Sequence, residues 1–276
     1  NKPAADDEVV TKSCRFDGAS YLNRATTSTA TTWTMAFWIK RAKLGTVQYM
    51  LTFSTGSGLA INTSNQIYFY NGTTYTSTAV YRDTGAWMHV AIVCTSGSAD
   101  FYINGTQVTD GGFSSSLTCA AVGTMNIGRW SFETAPSLYH LYNGYMADFY
   151  FVEGSAVTPT GNFINDPASD TNGQLKPKAY TTSLGTEGFH LDFKDGAATS
   201  GSNAGLGKDV SDNGNYFDTT GLAASDQMND RPTNNYAVLN GLLPQTGTIR
   251  TLAEGNLKLT TPGGASYTGT TSATMP

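Results

Sequence analysis

The residues best suited to chemistry in this chain are aromatic. Tyr68, Tyr70, Tyr75 and Tyr81 gather around an Asn71-Gly72 turn, and Trp130, Phe132, Tyr139 and Tyr142 crowd a second loop together with His140. A sugar presents an apolar ring face and a rim of hydroxyls, so its site needs an aromatic platform with Asn, Asp or backbone groups beside it. Tyr70, Tyr75, Trp130, Tyr139, His140 and Tyr142 are therefore the carbohydrate-binding candidates. The competing role for the same side chains is packing inside a sandwich or against another subunit. A second grouping, Asp209-x-Ser211-x-Asn213-Gly214, imitates the oxygen spacing of a calcium loop. Its twelfth position, a bidentate Glu in such loops, is Thr220, so structural Asx turns account for the pattern as well as calcium does.

Groups for catalysis are sparse. Asp148 and Glu153 form the nearest carboxylate pair, and on a regular strand residues five apart face opposite sides and cannot share one glycosidic bond. His89 lies within a Trp-Met-His-Val run, where a core or strand-edge role outweighs acid-base work. The sequence has no Gly-x-Ser-x-Gly elbow, phosphate loop or His-Glu-x-x-His helix. We therefore expect a binding protein rather than an enzyme.

The elements that must position these residues are strands. Of 276 residues only 13% are charged, against about 25% in an average soluble domain, while Thr is abundant and Gly numbers 30. Such a balance favours strands and tight turns over helices. Apolar and polar residues alternate with period two over 16–22, 33–40, 49–54, 66–70, 87–95, 100–103, 124–127 and 145–152. Asn71-Gly72 and Asn104-Gly105 carry the strongest hairpin signal, because a type I′ turn needs positive φ at both central residues. In 33–40 both faces are apolar, as in a central strand packed on two sides.

Net charge is −5 with no run of like charges, which leaves no electrostatic footprint for nucleic acid. The longest apolar runs fall well short of the ~18 residues of a membrane helix. Cys14, Cys94 and Cys119 are too few and too scattered for a disulfide scaffold or zinc site, and read as small buried side chains. The chain opens on Asn1 with no basic-then-apolar leader, so either its true N-terminus has been removed or it is a piece of a longer protein. Composition divides it into an N-terminal arm (1–13), a β domain (14–165), a Pro-containing connection (166–188), an accessory β segment (189–259) and a Thr/Gly/Ser-rich tail or the start of a further domain (260–276).

Four blocks in order carry a family resemblance: Cys14-Arg15-Phe16-Asp17-Gly18-Ala19-Ser20-Tyr21-Leu22; residues 33–40 with Trp38; Trp87-Met88-His89-Val90-Ala91-Ile92-Val93 followed by Phe101-Tyr102-Ile103-Asn104-Gly105; and Asn126-Ile127-Gly128-Arg129 with Tyr142-Asn143-Gly144-Tyr145-Met146-Ala147-Asp148-Phe149-Tyr150-Phe151. Together they resemble the laminin-G, or concanavalin A-like, jelly-roll family. The resemblance implies an all-β, two-sheet antiparallel jelly-roll sandwich, with calcium at a sandwich rim in many members. Glycosidases on this fold share a Glu-x-Asp-x-x-Glu run that is missing here.

The later blocks Leu191-Asp192-Phe193-Lys194-Asp195, 209–215, 226–228 and 232–236 are similar to a stretch that follows such domains in virion proteins of tailed bacteriophages. That likeness implies a tail fibre or similar appendage on the virion surface. It would be homo-oligomeric, as a trimer, would contact other virion subunits and would recognise a host-surface carbohydrate. The alternative is a capsid or tail decoration protein that binds virion subunits and no sugar.

Overall fold

The computed structural model describes residues 10–53, 56–113, 117–118, 123–130, 140–170, 173–239, 251–253, 256 and 258–260. Its strands in chain order are β1 (Ser13–Asp17), β2 (Tyr21–Thr26), β3 (Trp33–Arg41), β4 (Gln48–Phe53), β5 (Gly58–Ile61), β6 (Gln66–Tyr70), β7 (Thr74–Val80), β8 (Trp87–Thr95) and β9 (Ser98–Ile103). There follow β10 (Thr106–Val108), β11 (Leu117–Thr118), β12 (Gly123–Ile127), β13 (Asn143–Glu153), β14 (Phe189–Leu191), β15 (Asp218–Thr220), β16 (Gln227–Met228), β17 (Thr251–Ala253) and β18 (Lys258–Thr260).

Two antiparallel sheets form a jelly-roll sandwich. The first runs β10-β9-β8-β3-β13-β1-β16, with β11 beside β9 and β14 beside β13; the second runs β15-β2-β12-β4-β5-β6-β7. β17 and β18 pair only with each other.

Alternation explains the core. In β3, flanked by β8 and β13, all nine residues are buried. Trp33, Met35, Phe37 and Ile39 enter the core between the sheets, while Ala36 and Trp38 face outward into separate clusters. The Phe37 and Phe149 rings stack at 4.4 Å, tying β3 to β13 inside that core. Asn104 and Gly105 have φ of 51° and 79° between the paired Ile103 and Thr106, the left-handed geometry expected of that hairpin.

Three local readings are corrected. The run 16–22 is two strands: Gly18, at φ 84°, turns the chain so that β1 joins the first sheet and β2 the second. Asn71-Gly72 lies in a three-residue loop, because pairing resumes at Tyr70 with Thr74 and only Gly72 has positive φ there. β13 is also not regular: its register with β3 slips between Ala147 and Tyr150, and Asp148 sits in the bulge at φ 52°.

Packing continues past residue 165. Phe163, Ile164, Leu175, Tyr180 and Leu184 lie along the outer face of the first sheet, over Ala36, Ala91, Tyr150, Val152, Trp38 and Ala147. Phe189, Leu191, Phe193, Leu206, Phe217 and Leu222 then join the core between the sheets, and β14, β15 and β16 extend both. Residues 229–236 close the same outer face through a buried ion pair. Lys40 Nζ donates to Asp230 Oδ2 (2.8 Å), Asn235 Oδ1 (2.7 Å) and the Tyr236 carbonyl (2.7 Å). Trp87 Nε1 donates to the other Asp230 oxygen at 3.0 Å.

Candidate functional site

The outer face of the second sheet carries aromatic rings where a solvated face would carry polar side chains. In β6, Ile67 and Phe69 point into the core, so Tyr68 and Tyr70 must point outward. Across the sheet Tyr49 on β4 shares that face. Between β4 and β6 the outward positions of β5 are Gly58 and Ala60, paired with Thr52 and Tyr49 on one side and with Tyr70 and Tyr68 on the other. These two small residues leave the rings standing proud of the middle strand. A Cβ on Gly58 would lie 2.7 Å from Thr52 Cγ2 and 3.0 Å from the Tyr49 ring, so glycine is what lets Tyr49 lean over β5.

Trp130, just beyond β12, closes the cluster. Its ring centroid lies 4.4 Å from Tyr49 and 5.8 Å from Tyr70, while Tyr49 stands 5.7 Å from Tyr68 and 6.0 Å from His140. Tyr49 and Tyr68 are nearly buried, whereas Tyr70, Trp130 and His140 are half-buried. Burial and a hydrogen bond with Tyr49 raise the Tyr68 hydroxyl well above the ordinary phenol range, so it stays protonated and can serve as a donor. A polar row continues the face across β12 and β2. Register places Thr52 opposite Asn126, Asn126 opposite Asn23, and Asn23 opposite Asp218. Asn126 is 1% exposed and its Oδ1 has no hydrogen-bond partner, an unsatisfied acceptor beside the aromatic cluster. Arg129 lies with its guanidinium 4.2 Å above the Tyr21 ring.

Of the carbohydrate candidates, Tyr70, Trp130 and His140 come together here. Tyr139 lies outside the described residues. Tyr75 does not join them: paired with Phe69, it packs against the core between the sheets and under Gly112. Tyr142 is corrected to a core residue, because it is fully buried, meets Phe16 edge-on at 6.1 Å and donates its hydroxyl to the Lys40 carbonyl. Tyr49 was not among the candidates. Regular alternation from the inward Leu51 would turn Tyr49 into the core; the register shift between them turns it outward instead, and β5, with its small side chains, gives no strand signal to mark the face.

Asp209 and Asn213 are engaged with the backbone around them rather than held free for a ligand. Asp209 Oδ1 accepts the His190 and Ser211 amides (both 2.9 Å) and Oδ2 the Asn215 amide (2.8 Å). Asn213 donates its side-chain amide to the Gly185 and Gly188 carbonyls. The motif is a hub that fastens 185–190 to 209–215. Among the described residues no group of three or more His, Cys, Asp or Glu side chains could hold a metal ion.

The carboxylates on β13 are likewise engaged. Asp148 bonds His190 Nε2 at 2.8 Å; burial, helped by the charge and hydrogen bond of Asp148, holds the Tyr150 hydroxyl above its usual range. Glu153 accepts from Ser28 Oγ and the Glu187 amide. His89 is 1% exposed, and burial pushes its pKa down to about 3.

A family model described as the concanavalin A-like lectin/glucanases superfamily matches residues 16–159, just over half of the chain. Among solved structures, a putative carbohydrate-binding protein from Bacteroides ovatus is 17% identical with a TM-score of 0.50, over 76% of this chain and 58% of that one. A heptameric SAP-like pentraxin from Limulus polyphemus is 16% identical (TM-score 0.41), over 54% of this chain and 78% of the pentraxin. Domains LG4-5 of the mouse laminin alpha1 chain are 14% identical (TM-score 0.39), over 63% of this chain and 48% of that one. At such identities the likeness is one of fold. No curated protein matches the chain.

Proposed function

Since the chain belongs to the concanavalin A-like lectin/glucanases superfamily, we propose that it binds carbohydrate, without cleaving it, on the outer face of its second sheet. The observation that carries this reading is the cluster of Tyr49, Tyr68, Tyr70, Trp130 and His140 set around Gly58 and Ala60. The rings offer an apolar platform of the kind a sugar face covers. Phenol and imidazole edges, with the half-buried Asn23 further along the face, offer partners for its hydroxyls. Engagement of Asp148 and Glu153 in structural hydrogen bonds supports binding without hydrolysis.

The setting proposed for this activity is a virion surface, as a homo-trimeric tail fibre or similar appendage facing a host glycan. It is supported by the likeness of 191–236 to segments of phage virion proteins. The reading is tested by a glycan array with the wild-type chain and Trp130→Ala. Removing an aromatic anchor from a binding centre costs about 2 kcal/mol or more, so the variant should lose at least ~30-fold in affinity with its melting temperature nearly unchanged. A folded, wild-type sample that no glycan retains overturns it, and binding to virion subunits would then be the role to pursue.

A further inference from the structure

We propose that the glycan bound on this face is acidic and that Arg129 is the residue that reads its charge. The inference rests on the carbohydrate-binding reading above and narrows it to a substrate class. A guanidinium has five donors, and left without acceptors it costs free energy. Arg129 Nε is buried and has no hydrogen-bond partner, and among the described residues its side chain has no carboxylate partner. Its guanidinium lies 4.2 Å from the centroid of the Tyr21 ring, a cation–π contact that holds it on this face. The acidic side chain in the adjoining polar row, Asp218, is already taken by Ser200 Oγ and the Gly201 amide. Two other arginines are paired with carboxylates: Arg24 with Glu187 beside Asn215, although its Nη1 is likewise without a partner, and Arg15 with Asp226. Of these three, Arg129 is the one without a carboxylate partner among the described residues.

Its place relative to the aromatic cluster fits one ligand. Trp130 is the next residue in the chain and turns toward Tyr49 on β4, whereas Arg129 turns toward Tyr21 on β2. β4 and β2 flank β12, so the two sites stand two strand spacings apart, roughly 10 Å. A glycan lying across β12 can rest one ring on Trp130 and Tyr49 and bring the carboxylate, sulfate or phosphate of a neighbouring ring to Arg129. A planar fork matches such an oxyanion through paired hydrogen bonds. With a net charge of −5 the chain as a whole does not attract anions, so selectivity falls to this local contact.

The test uses paired probes differing only in charge: oligogalacturonate with its methyl ester, and sialyllactose with lactose. Each is measured at low and high salt against the wild type, Arg129→Gln, Arg129→Lys and Trp130→Ala. The expected result is at least tenfold tighter binding of the acidic member of a pair, weakened by salt. Arg129→Gln should abolish that preference, bringing the acidic member of each pair down to the affinity of the neutral one, and Arg129→Lys should retain part of it. Should Arg129→Gln fail to fold, Arg129→Lys, which keeps a cation over Tyr21, decides the question by the size of the preference it retains. Binding of neutral members alone, lost in Trp130→Ala, overturns the acidic assignment and leaves the carbohydrate reading standing. An acidic preference that survives in Arg129→Gln also overturns it. Binding of no probe by a folded wild type overturns both.

Discussion

Acid should unfold this protein through His89 before its carboxylates titrate. The residue sits in β8 at 1% exposure, edge-on to Trp38 at 5.2 Å, and its Nδ1 has no hydrogen-bond partner. Burial without a compensating anion lowers its pKa from 6.5 to about 3. Between those values the unfolded chain carries a proton on this ring that the folded chain refuses, so the unfolded state binds more protons and stability falls as pH falls. The contribution is complete above pH 6.5 and lost progressively toward pH 3, at up to about 1.4 kcal/mol per unit. From pH 7 to pH 5 the loss is about 2 kcal/mol, and over the whole window roughly 4 to 5 kcal/mol, a large part of the 5–15 kcal/mol typical of a domain. Urea unfolding of the wild type and His89→Leu at pH 7, 6 and 5 isolates the effect, because His140, His190 and the carboxylates cancel in the difference. The gap in unfolding free energy should move by about 2 kcal/mol in favour of the variant as pH drops to 5. Parallel pH profiles would refute the argument and mean that the imidazole is protonated in the folded state.

Other perturbations separate the structural from the functional parts. Asp230→Asn leaves the Lys40 ammonium buried without its anion, a loss of about 3 to 5 kcal/mol in denaturant titration; an unchanged midpoint would mean Asn235 and the Tyr236 carbonyl suffice. Gly58→Ala forces a methyl to 2.7 Å from Thr52 and 3.0 Å from the Tyr49 ring. It should destabilise by about 1 to 3 kcal/mol and weaken glycan binding by displacing Tyr49, whereas binding at full strength would remove Tyr49 from the platform. Asp209→Ala releases three backbone amides and should cost roughly 3 kcal/mol or more, while millimolar calcium should shift the wild-type melting temperature by less than about 1 °C. A larger, saturable calcium shift would contradict the assignment of Asp209 as an amide hub.

The sandwich was legible in the sequence wherever alternation was strong and turns were chemically explicit. β3, β8 and the Asn104-Gly105 hairpin fall where their residues require. Less visible were elements that owe their existence to neighbours. β5 is a strand because β4 and β6 pair with it on both sides, since Gly58-Leu59-Ala60-Ile61 has little propensity of its own. The three residues of β14 are too few to show a period, so the merger of 189–222 into the core could not be read from them. At the candidate site, residue type alone could not part Trp130 from Tyr142. Both are aromatic residues flanking one loop, and only the third dimension places Trp130 on the outer face and Tyr142 against Phe16 inside. Tyr49 escaped notice because a register shift conceals its direction.

The two outer faces use one device for different ends. On the first sheet Ala36 and Ala91 lie side by side, bordered by Tyr150 and Tyr102, and the shallow seat they leave takes Phe163, on which Tyr180 stacks at 4.9 Å. Lys40, Asp230 and Asn235 then lock the chain's own later segment over the rest of that face. On the second sheet Gly58 and Ala60 make the same kind of seat, bordered by Tyr49, Tyr68, Tyr70 and Trp130. Among the described residues no counterpart of Phe163 enters it. Small residues flanked by rings weaken a strand; here Gly58, Ala60, Tyr49 and Tyr68 are themselves buried, and ring surface reaches water at the half-buried Tyr70, Trp130 and His140. The first sheet is covered from within, by chain drawn from the 80 residues between Val157 and Tyr236. A molecule supplying one apolar ring face and a rim of hydroxyls would lie on those half-buried rings rather than in the seat, adding from outside the contact that Phe163 gives the first sheet from within, and would leave when its concentration falls.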